Sequence, residues 1–223
     1  MRVLCVSDRV VPELYERFDR ELVRGVECIF ACGDLPPEYL SFLRDRVDAP
    51  LYYVLGNHDI RFLDTEPVGC TYVHGRLVRV GEYRLLGLSG SRWYNGGPFQ
   101  YHEARMRALL RRLWLRLRLA GGVDIVLTHA PPRHIGDRED RCHKGFVCYR
   151  RLIEKYAPAW FIHGHIHAEF STVAERITLY HHASGSRAQQ GVRANVPARG
   201  LEPDAGKKTT RVVNCCGYVL LEL

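Results

Sequence analysis

Five short apolar runs recur along the chain, and each has the length and composition of a β-strand that is buried on both faces. Their β-branched and aromatic residues follow one another directly instead of alternating with polar ones, which is typical of strands covered on both sides. We predict buried strands at 3–7, 28–32, 51–55, 124–128 and 159–163. Strands of this kind must lie between other layers, so the pattern favours a layered α/β domain.

Amphipathic patterns between these runs predict the helices that cover the sheets. Apolar residues recur at i, i+4 and i+8 within 12–23, and the stretches 105–120 and 146–156 each carry an apolar stripe on one face. A hairpin that turns near Gly81 and further strands from Ile177 to the end of the sequence indicate antiparallel pairs. We therefore expect α/β architecture with two mixed β-sheets.

Length and composition indicate a soluble globular protein with one domain over 1–223. The chain has 223 residues, of which 46% are apolar and 26% charged. No apolar run approaches the roughly 20 residues of a membrane span, and no signal-peptide pattern is evident, so we predict a cytoplasmic protein. The eight cysteines are predicted to be reduced in a chain that is not exported, and because they include no C-x-x-C pair, no structural zinc site is predicted. The stretch 184–208 lacks periodicity and is predicted to be a long mobile loop.

The charge of the chain favours anionic partners. The formal net charge is +7, and arginines make up nearly all of the 32 basic residues. Guanidinium groups match phosphate oxygens bidentately, which favours phosphate-bearing partners, and a small phosphate-ester or nucleotide-like substrate is such a partner. For most of these arginines, however, we prefer the interpretation that they cover a solvated surface. No compact basic motif with interleaved aromatic residues is present, so nucleic acid is not required as a partner, and no membrane partner is predicted.

Side chains that commonly bind metal ions follow all five predicted buried strands. Ligands of open α/β sheets bind beyond the carboxyl ends of the strands, where these side chains would meet. The residues that follow the strands are Asp8, Asp34, Asn57, His58, Asp59, His129, His165 and His167. Because every one of the five strands is followed in this way, we predict a metal site. His163 belongs to the last strand itself, and we interpret it as structural.

The chemical types of these side chains restrict which metal ions they would bind. Carboxylates, one amide oxygen and imidazoles together suit Mn²⁺, Fe²⁺ or Zn²⁺ better than Ca²⁺, and we expect Mn²⁺. The set is larger than one tetrahedral ion needs, whereas two divalent ions roughly 3.5–4 Å apart would use all of it. We therefore predict a dinuclear centre.

The order of these blocks resembles that of the calcineurin-like metallophosphoesterase superfamily, whose motifs run D-x-H, G-D, G-N-H-[DE], H and G-H-x-H. The matching stretches here are GDL, GNHD, THAPP and HGHIH, and the resemblance extends from Asp8 to His167. It implies a sandwich of two mixed sheets flanked by helices. It also implies metal-dependent hydrolysis of phosphate esters in which a hydroxide that bridges the metals is the nucleophile.

The resemblance implies a role for each residue of the set. Asp34 would bridge two metals. The further ligands would be Asn57, His129 and His165 for the second metal, and Asp8 and His167 for the first.

Two neighbouring residues would serve the proton transfer. The resemblance implies that His58 is no metal ligand but the general acid, which donates a proton to the leaving oxygen, and that Asp59 orients it. Imidazole suits this role because it can release a proton near neutral pH.

One position departs from the family pattern, since Val10 stands where the first block has a histidine. The first metal could then bind weakly and arrive with the substrate, or the protein could use a single metal. A third alternative is that His143, His181 or His182 replaces the missing ligand. Arg9 could contact the substrate phosphate, and so could His143.

The pattern leaves more than one function open. We predict a phosphodiesterase more readily than a phosphatase, because compact members of the class with these motifs often prefer diesters. The alternative is a catalytically weak or inactive scaffold on the same fold that binds protein partners, which Val10 favours and the presence of His58 opposes. Nucleic-acid binding through arginines would predict a steep salt dependence of association.

Overall fold

The structure, a computed structural model, describes residues 1–182, 192–193 and 208–223. Within them, the helices and strands are β1 (Arg2–Ser7), β2 (Cys28–Ala31), α1 (Pro37–Val47), β3 (Leu51–Tyr53), β4 (Cys70–Tyr72), β5 (Leu77–Val80), β6 (Tyr83–Leu88), β7 (Ser91–Arg92), β8 (Gln100–Tyr101), α2 (Glu103–Leu119), β9 (Ile125–Thr128), α3 (Val147–Tyr156), β10 (Trp160–His163), β11 (Ile177–His181), β12 (Val192–Arg193), β13 (Thr209–Asn214) and β14 (Gly217–Glu222).

Two mixed sheets form the body of the molecule, as predicted. The first has the order β14-β1-β2-β3-β4, in which β1 to β4 run parallel and β14 pairs antiparallel with β1. The second has the order β12-β11-β13-β10-β9-β6-β5. Its central strands β13, β10, β9 and β6 are parallel, and β5 and β11 pair antiparallel at its two sides. The short strands β7 and β8 pair with each other in a connection next to the site.

The sheets face each other across one apolar core, and helices cover their outer faces. The core between the sheets includes Val3, Phe30, Leu127, Ile162 and Val213, all inaccessible to solvent. Burial of a side chain of this size stabilises the fold by about 1.5–3 kcal/mol. Helices α2 and α3 cover the second sheet, and α1 together with the segment before β2 covers the first. This double covering explains why the strand sequences are apolar on both faces.

Most of the predicted elements are present. The five predicted buried strands are β1, β2, β3, β9 and β10, and α2 and α3 occupy the predicted stretches 105–120 and 146–156 to within two residues at each end. The hairpin β5–β6 turns at Gly81, which has the positive φ of 57° that the turn requires. Helix α1 lies outside the predicted helices.

The helix predicted over 12–23 is wrong, because only a 3₁₀ turn forms there, at Pro12–Leu14. The rest of the stretch folds into irregular turns; the Arg17 N–H, for example, donates to the Pro12 carbonyl at 2.8 Å. The rings of Tyr15 and Phe18 pack edge-on against Phe42 of α1, with centroids 4.8 and 5.7 Å away. The apolar spacing thus reports which side chains are buried, and tertiary packing decides the backbone conformation.

The predicted loop at 184–208 lies outside the described residues, apart from β12 and Lys208. Strand β12 pairs antiparallel with β11 at the edge of the second sheet. Among the described residues, no helix has the length and apolar character needed to cross a lipid bilayer.

Candidate metal centre

The predicted ligands lie together at the carboxyl ends of strands from both sheets. Three of them, Asp8, Asp34 and His165, have φ of 64°, 57° and 66°, in the left-handed region. Such a conformation costs a residue other than glycine about 1–2 kcal/mol, and it recurs at functional sites. All three residues lie within three positions of the ends of β1, β2 and β10.

Four side chains form the tightest group, which we call the Asp34 group: Asp34, Asn57, His129 and His165. The Nε2 atom of His129 lies 3.3 Å from Asp34 Oδ2, 3.1 Å from Asn57 Oδ1 and 3.0 Å from His165 Nδ1. His129 is fully buried and His165 is nearly so. The carboxylate and the two imidazoles form a cluster with the spacing of metal ligands.

The hydrogen bonds of the two imidazoles show that both lone pairs face this group. His129 donates from Nδ1 to the Cys32 carbonyl at 2.7 Å, and His165 donates from Nε2 to the Cys142 carbonyl at 2.8 Å. In the neutral rings, the remaining nitrogens therefore carry lone pairs, which face each other at 3.0 Å. Two acceptors at that distance repel unless one of them is protonated or both bind a metal ion. Because carbonyl partners fix metal-binding histidines in just this way, the residues fit a divalent ion.

The electrostatics of the Asp34 group also favour a cation. Burial opposes charge on His129, but the carboxylates of Asp34 and Asp8 outweigh burial and raise the pKa of the ring to about 10. Burial and the neighbouring His129 lower the pKa of His165 to about 3. Burial alone would raise the pKa of the Asp34 carboxyl, yet His129 and the His58 N–H hold it well below its ordinary value. The same negative field that attracts a proton to His129 would attract a metal ion.

Asp8 and His167 lie beside the Asp34 group and form a looser pair. The N–H of His165 donates to both carboxylate oxygens of Asp8 at 3.1 Å, and His167 Nε2 lies 3.3 Å from Asp8 Oδ1. The side chain of His167 is 52% exposed. This half of the site therefore has fewer buried ligands than the Asp34 group.

Two of the suggested replacements for the missing histidine are wrong. His181 and His182 bond to the hydroxyls of Thr209 and Thr210, where β13 begins. The site lies at the opposite end of that strand, where Asn214 pairs with His163. Because they lie at the wrong end of the sheet, these histidines cannot reach the centre.

His143 lies beside the predicted ligands. Val10, which stands where the family has a histidine, is 39% exposed. The His143 ring is centred 5.2 Å from the His165 ring and 6.5 Å from the His167 ring. Its Nδ1 atom bonds to Asp140 Oδ1 at 2.8 Å, which leaves Nε2 for another partner. Of the three histidines suggested, the structure brings only His143 to the predicted ligands.

Arginines lie next to His167. Arg9 is exposed, and Arg138 donates to the His167 carbonyl at 3.2 Å. The hydrogen bond to Asp8 raises the pKa of His167, and the nearby charge of Arg9 opposes that rise. The predicted substrate residue Arg9 thus faces the looser half of the centre.

His58 is exposed at the site, and its backbone N–H donates to Asp34 Oδ1 at 2.8 Å. The predicted orienting contact from Asp59 is not among the hydrogen bonds of the described residues. Instead, the Asp59 carboxylate accepts main-chain N–H bonds from Asp34 and Gly56 at 2.8 and 2.7 Å and from Leu35 at 3.1 Å. Burial outweighs these bonds and raises the pKa of the Asp59 carboxyl to about 6. Asp59 therefore holds the main chain that carries Asp34.

We expect Asp59→Asn to weaken metal binding. An amide places an NH₂ group opposite at least one of the three N–H donors, which costs about 1–3 kcal/mol for the unpaired buried group. Metal affinity should fall about 10–100-fold, as for other partners that position ligands. Thermal unfolding and Mn²⁺ titration measure both effects. If instead turnover falls while metal affinity and stability stay unchanged, Asp59 acts on His58.

Glycine is required at position 56 because a side chain would enter the ligand group. A Cβ atom there would collide with the Asp34 carboxylate and lie 2.7 Å from His129 Cε1. We expect Gly56→Ala to lower stability by about 1–3 kcal/mol and to abolish tight metal binding. Gly217→Ala is the control, since its Cβ would contact nothing within 4 Å although φ is 76°. Equal metal affinity in the two variants would contradict the assignment.

The structure also shows partners that the sequence pattern does not reveal. Tyr94, in the connection between β7 and β8, accepts a hydrogen bond from the Asn57 amide at 3.0 Å and so directs the amide oxygen toward His129. The carbonyls that orient the two imidazoles have no sequence signal at all. His163 is 1% exposed, bonds through Nδ1 to the Gly164 carbonyl at 2.9 Å and has a pKa lowered by burial to about 4. It is a structural residue.

The fold and this group of ligands define a metallophosphoesterase-like α/β sandwich. The chain belongs to the calcineurin-like phosphoesterase family, whose model matches residues 15–169. That match includes Asp34 through His167, and Asp8 and Val10 precede it. Members of the family bind divalent metals, and Asp34, His129 and His165 form the candidate site here.

Two mammalian proteins resemble this chain at low sequence identity. The chain is 27% identical over 173 residues to metallophosphoesterase domain-containing protein 1 of Homo sapiens and of Mus musculus. The alignment covers 68% of this chain but 52% of each relative, so the chain spans about half their length.

Solved structures show the same fold. One crystal structure superposes with a TM-score of 0.56 at 15% identity over 99% of this chain and 94% of the other. The crystal structure of TT1561 of Thermus thermophilus has a TM-score of 0.51 at 20% identity and covers 73% of this chain and 80% of that one.

Proposed function

We propose that the protein is a metal-dependent hydrolase of phosphate esters, with diesters as the preferred substrates. The observation that supports it most is the pair of imidazole nitrogens, His129 Nε2 and His165 Nδ1, which lie 3.0 Å apart beside the Asp34 carboxylate. A divalent cation would take the place of the proton that this group attracts to His129. Asp34, Asn57, His129 and His165 would hold one ion, and Asp8 and His167 would bind a second with Asp34. Bound divalent ions lower the pKa of water and polarise phosphoryl oxygens.

The protein's own side chains would bind the phosphate and move the proton. His58 is solvent-accessible next to Asp34 and would donate a proton to the oxygen of the departing alcohol. Arg9 would neutralise a phosphate oxygen on the side of Asp8, where the family histidine is replaced by Val10. His143, held by Asp140, would contact the same phosphate from the opposite loop.

A metal titration tests this proposal. Metal-stripped protein is titrated with Mn²⁺, and hydrolysis of bis-p-nitrophenyl phosphate is followed together with bound metal. We expect activity to appear with metal and to be higher on this diester than on p-nitrophenyl phosphate. Saturation at two ions supports a dinuclear centre, and saturation at one supports catalysis by the Asp34 group alone. Fe²⁺ and Zn²⁺ in parallel titrations identify the preferred metal.

The second candidate function is a scaffold on the same fold that binds protein partners. Val10 favours it, because this substitution removes one ligand from the looser half of the site. Metal binding without turnover of either ester would support the scaffold and contradict the hydrolase. Turnover that depends on His58 would exclude it.

A further inference from the structure

A cavity of about 270 Å³ lies between helix α2 and the connection from β4 to β5, and no candidate metal ligand lines it. Its wall includes His74, Tyr101 and Leu109, and Arg105 and Arg112 stand at its rim. The volume is large enough for a small molecule or for a carboxylate or phosphate group. The proposed hydrolase does not use these residues.

His74 presents one hydrogen-bond donor to this cavity. Its ring is stacked between Tyr72 and Tyr101, with centroids 6.1 and 5.9 Å away, and its Nδ1 atom accepts the Ser89 N–H at 2.8 Å. A neutral ring whose Nδ1 is an acceptor carries its proton on Nε2. Burial and the charge of Arg105 lower the pKa of His74, so the ring is neutral near pH 7. His74 lines the cavity, and because its faces and Nδ1 are occupied, the Nε2–H edge is the part of the ring that remains for a ligand.

The His74 donor is without an acceptor in the part of the chain that the structure describes. Among the residues that the structure describes, no group accepts a hydrogen bond from His74 Nε2, and neither Arg105 nor Arg112 forms an ion pair with a carboxylate. Arg105 lies over the Tyr101 ring, 5.1 Å from its centroid, which positions its guanidinium at the rim. No atom of His74 is among the fully buried side-chain atoms that lack a partner, so water reaches Nε2, and an oxygen ligand would take the place of that water.

We propose that this cavity binds a compact oxyanion, a phosphate or a carboxylate group. One oxygen would accept the Nε2–H of His74. Arg105 and Arg112 would neutralise the charge, for which planar guanidinium groups are well suited. Met106 and Leu109 would contact any apolar part of the ligand.

Nuclear magnetic resonance of the histidine side chains tests this proposal directly at His74. Protein labelled with ¹⁵N is titrated with sodium sulfate, which represents phosphate-type groups, and separately with sodium acetate, with NaCl at equal ionic strength as the reference. The His74 nitrogen signals locate binding in this cavity and separate it from binding at His129 or His165. The variant is Arg112→Gln. Its control is Arg118→Gln, an exposed arginine of the same helix that does not line the cavity.

We expect a saturable shift of the His74 Nε2 signal with at least one of the two anions. Arg112→Gln should weaken that binding about tenfold, and Arg118→Gln should leave it unchanged. A response to sulfate alone identifies phosphate-type ligands, and a response to acetate alone identifies carboxylates. A shift that NaCl reproduces, or equal weakening by both substitutions, would overturn the proposal. Because the readout requires no turnover, the result does not depend on the hydrolase activity.

Discussion

Asp34→Asn should abolish the metal-dependent activity, with a loss of at least about 10³-fold in kcat/KM. The substitution keeps the size of the side chain and removes the negative charge of the Asp34 carboxylate, which lies 3.3 Å from His129 Nε2. The left-handed conformation at this position should persist, because asparagine adopts it readily. Loss of several kcal/mol of charge stabilisation at a metal centre corresponds to a factor of this size.

Bound metal and turnover should be measured together for this variant. The matched control is Asp45→Asn, the same change at an exposed position of α1. We expect the control to retain full activity and metal content. Turnover of Asp34→Asn within tenfold of the unchanged protein would exclude Asp34 as the shared ligand.

His58→Ala should reduce turnover by on the order of 10²–10⁴-fold while metal content stays unchanged. The imidazole is exposed and is not part of the Asp34 group, so its removal leaves every proposed ligand in place. The hydrogen bond from His58 to Asp34 comes from the backbone N–H, and alanine keeps that donor. The expected loss therefore reports the imidazole alone.

The dependence of the loss in turnover on the leaving group distinguishes proton donation from other roles of His58. A proton donor helps a basic leaving group more than an acidic one, so the loss should be larger on diphenyl phosphate than on bis-p-nitrophenyl phosphate. His58→Asn, which keeps a hydrogen-bond donor but cannot transfer a proton, should be as inactive as His58→Ala. Equal losses on both esters would contradict the general-acid role, and loss of metal would make His58 a ligand.

The sequence predicts those features of the fold and the site that depend on the type of each residue. The runs around Val3, Phe30 and Ile162 are apolar at every position, and this requires covering on both faces wherever they lie in the fold. The polar residues that follow those runs meet at one edge, because parallel strands end on the same side of a sheet. The sequence also identifies Val10 as the position of a missing ligand, since it replaces the histidine of the first family motif while the other motifs are complete.

Contacts between distant segments could not be predicted in this way. The stretch 12–23 has helical spacing yet folds into a 3₁₀ turn and irregular turns, in which the Tyr15 ring packs against Phe42 of α1, a residue distant in sequence. Asp59 was expected to orient His58, but its carboxylate binds three N–H groups that come together only in the folded chain.

By itself, then, the sequence determined the layered α/β class and the identity of the predicted ligands, because burial and metal affinity are properties of residue type and spacing. Only the tertiary structure decided how those ligands are held: the Cys32 and Cys142 carbonyls select the imidazole lone pairs, and Tyr94 turns the Asn57 amide. It also decided that His143, and neither His181 nor His182, lies at the centre. The physical reason is that hydrogen bonds between residues far apart in the chain depend on the path of the backbone, which no local pattern encodes.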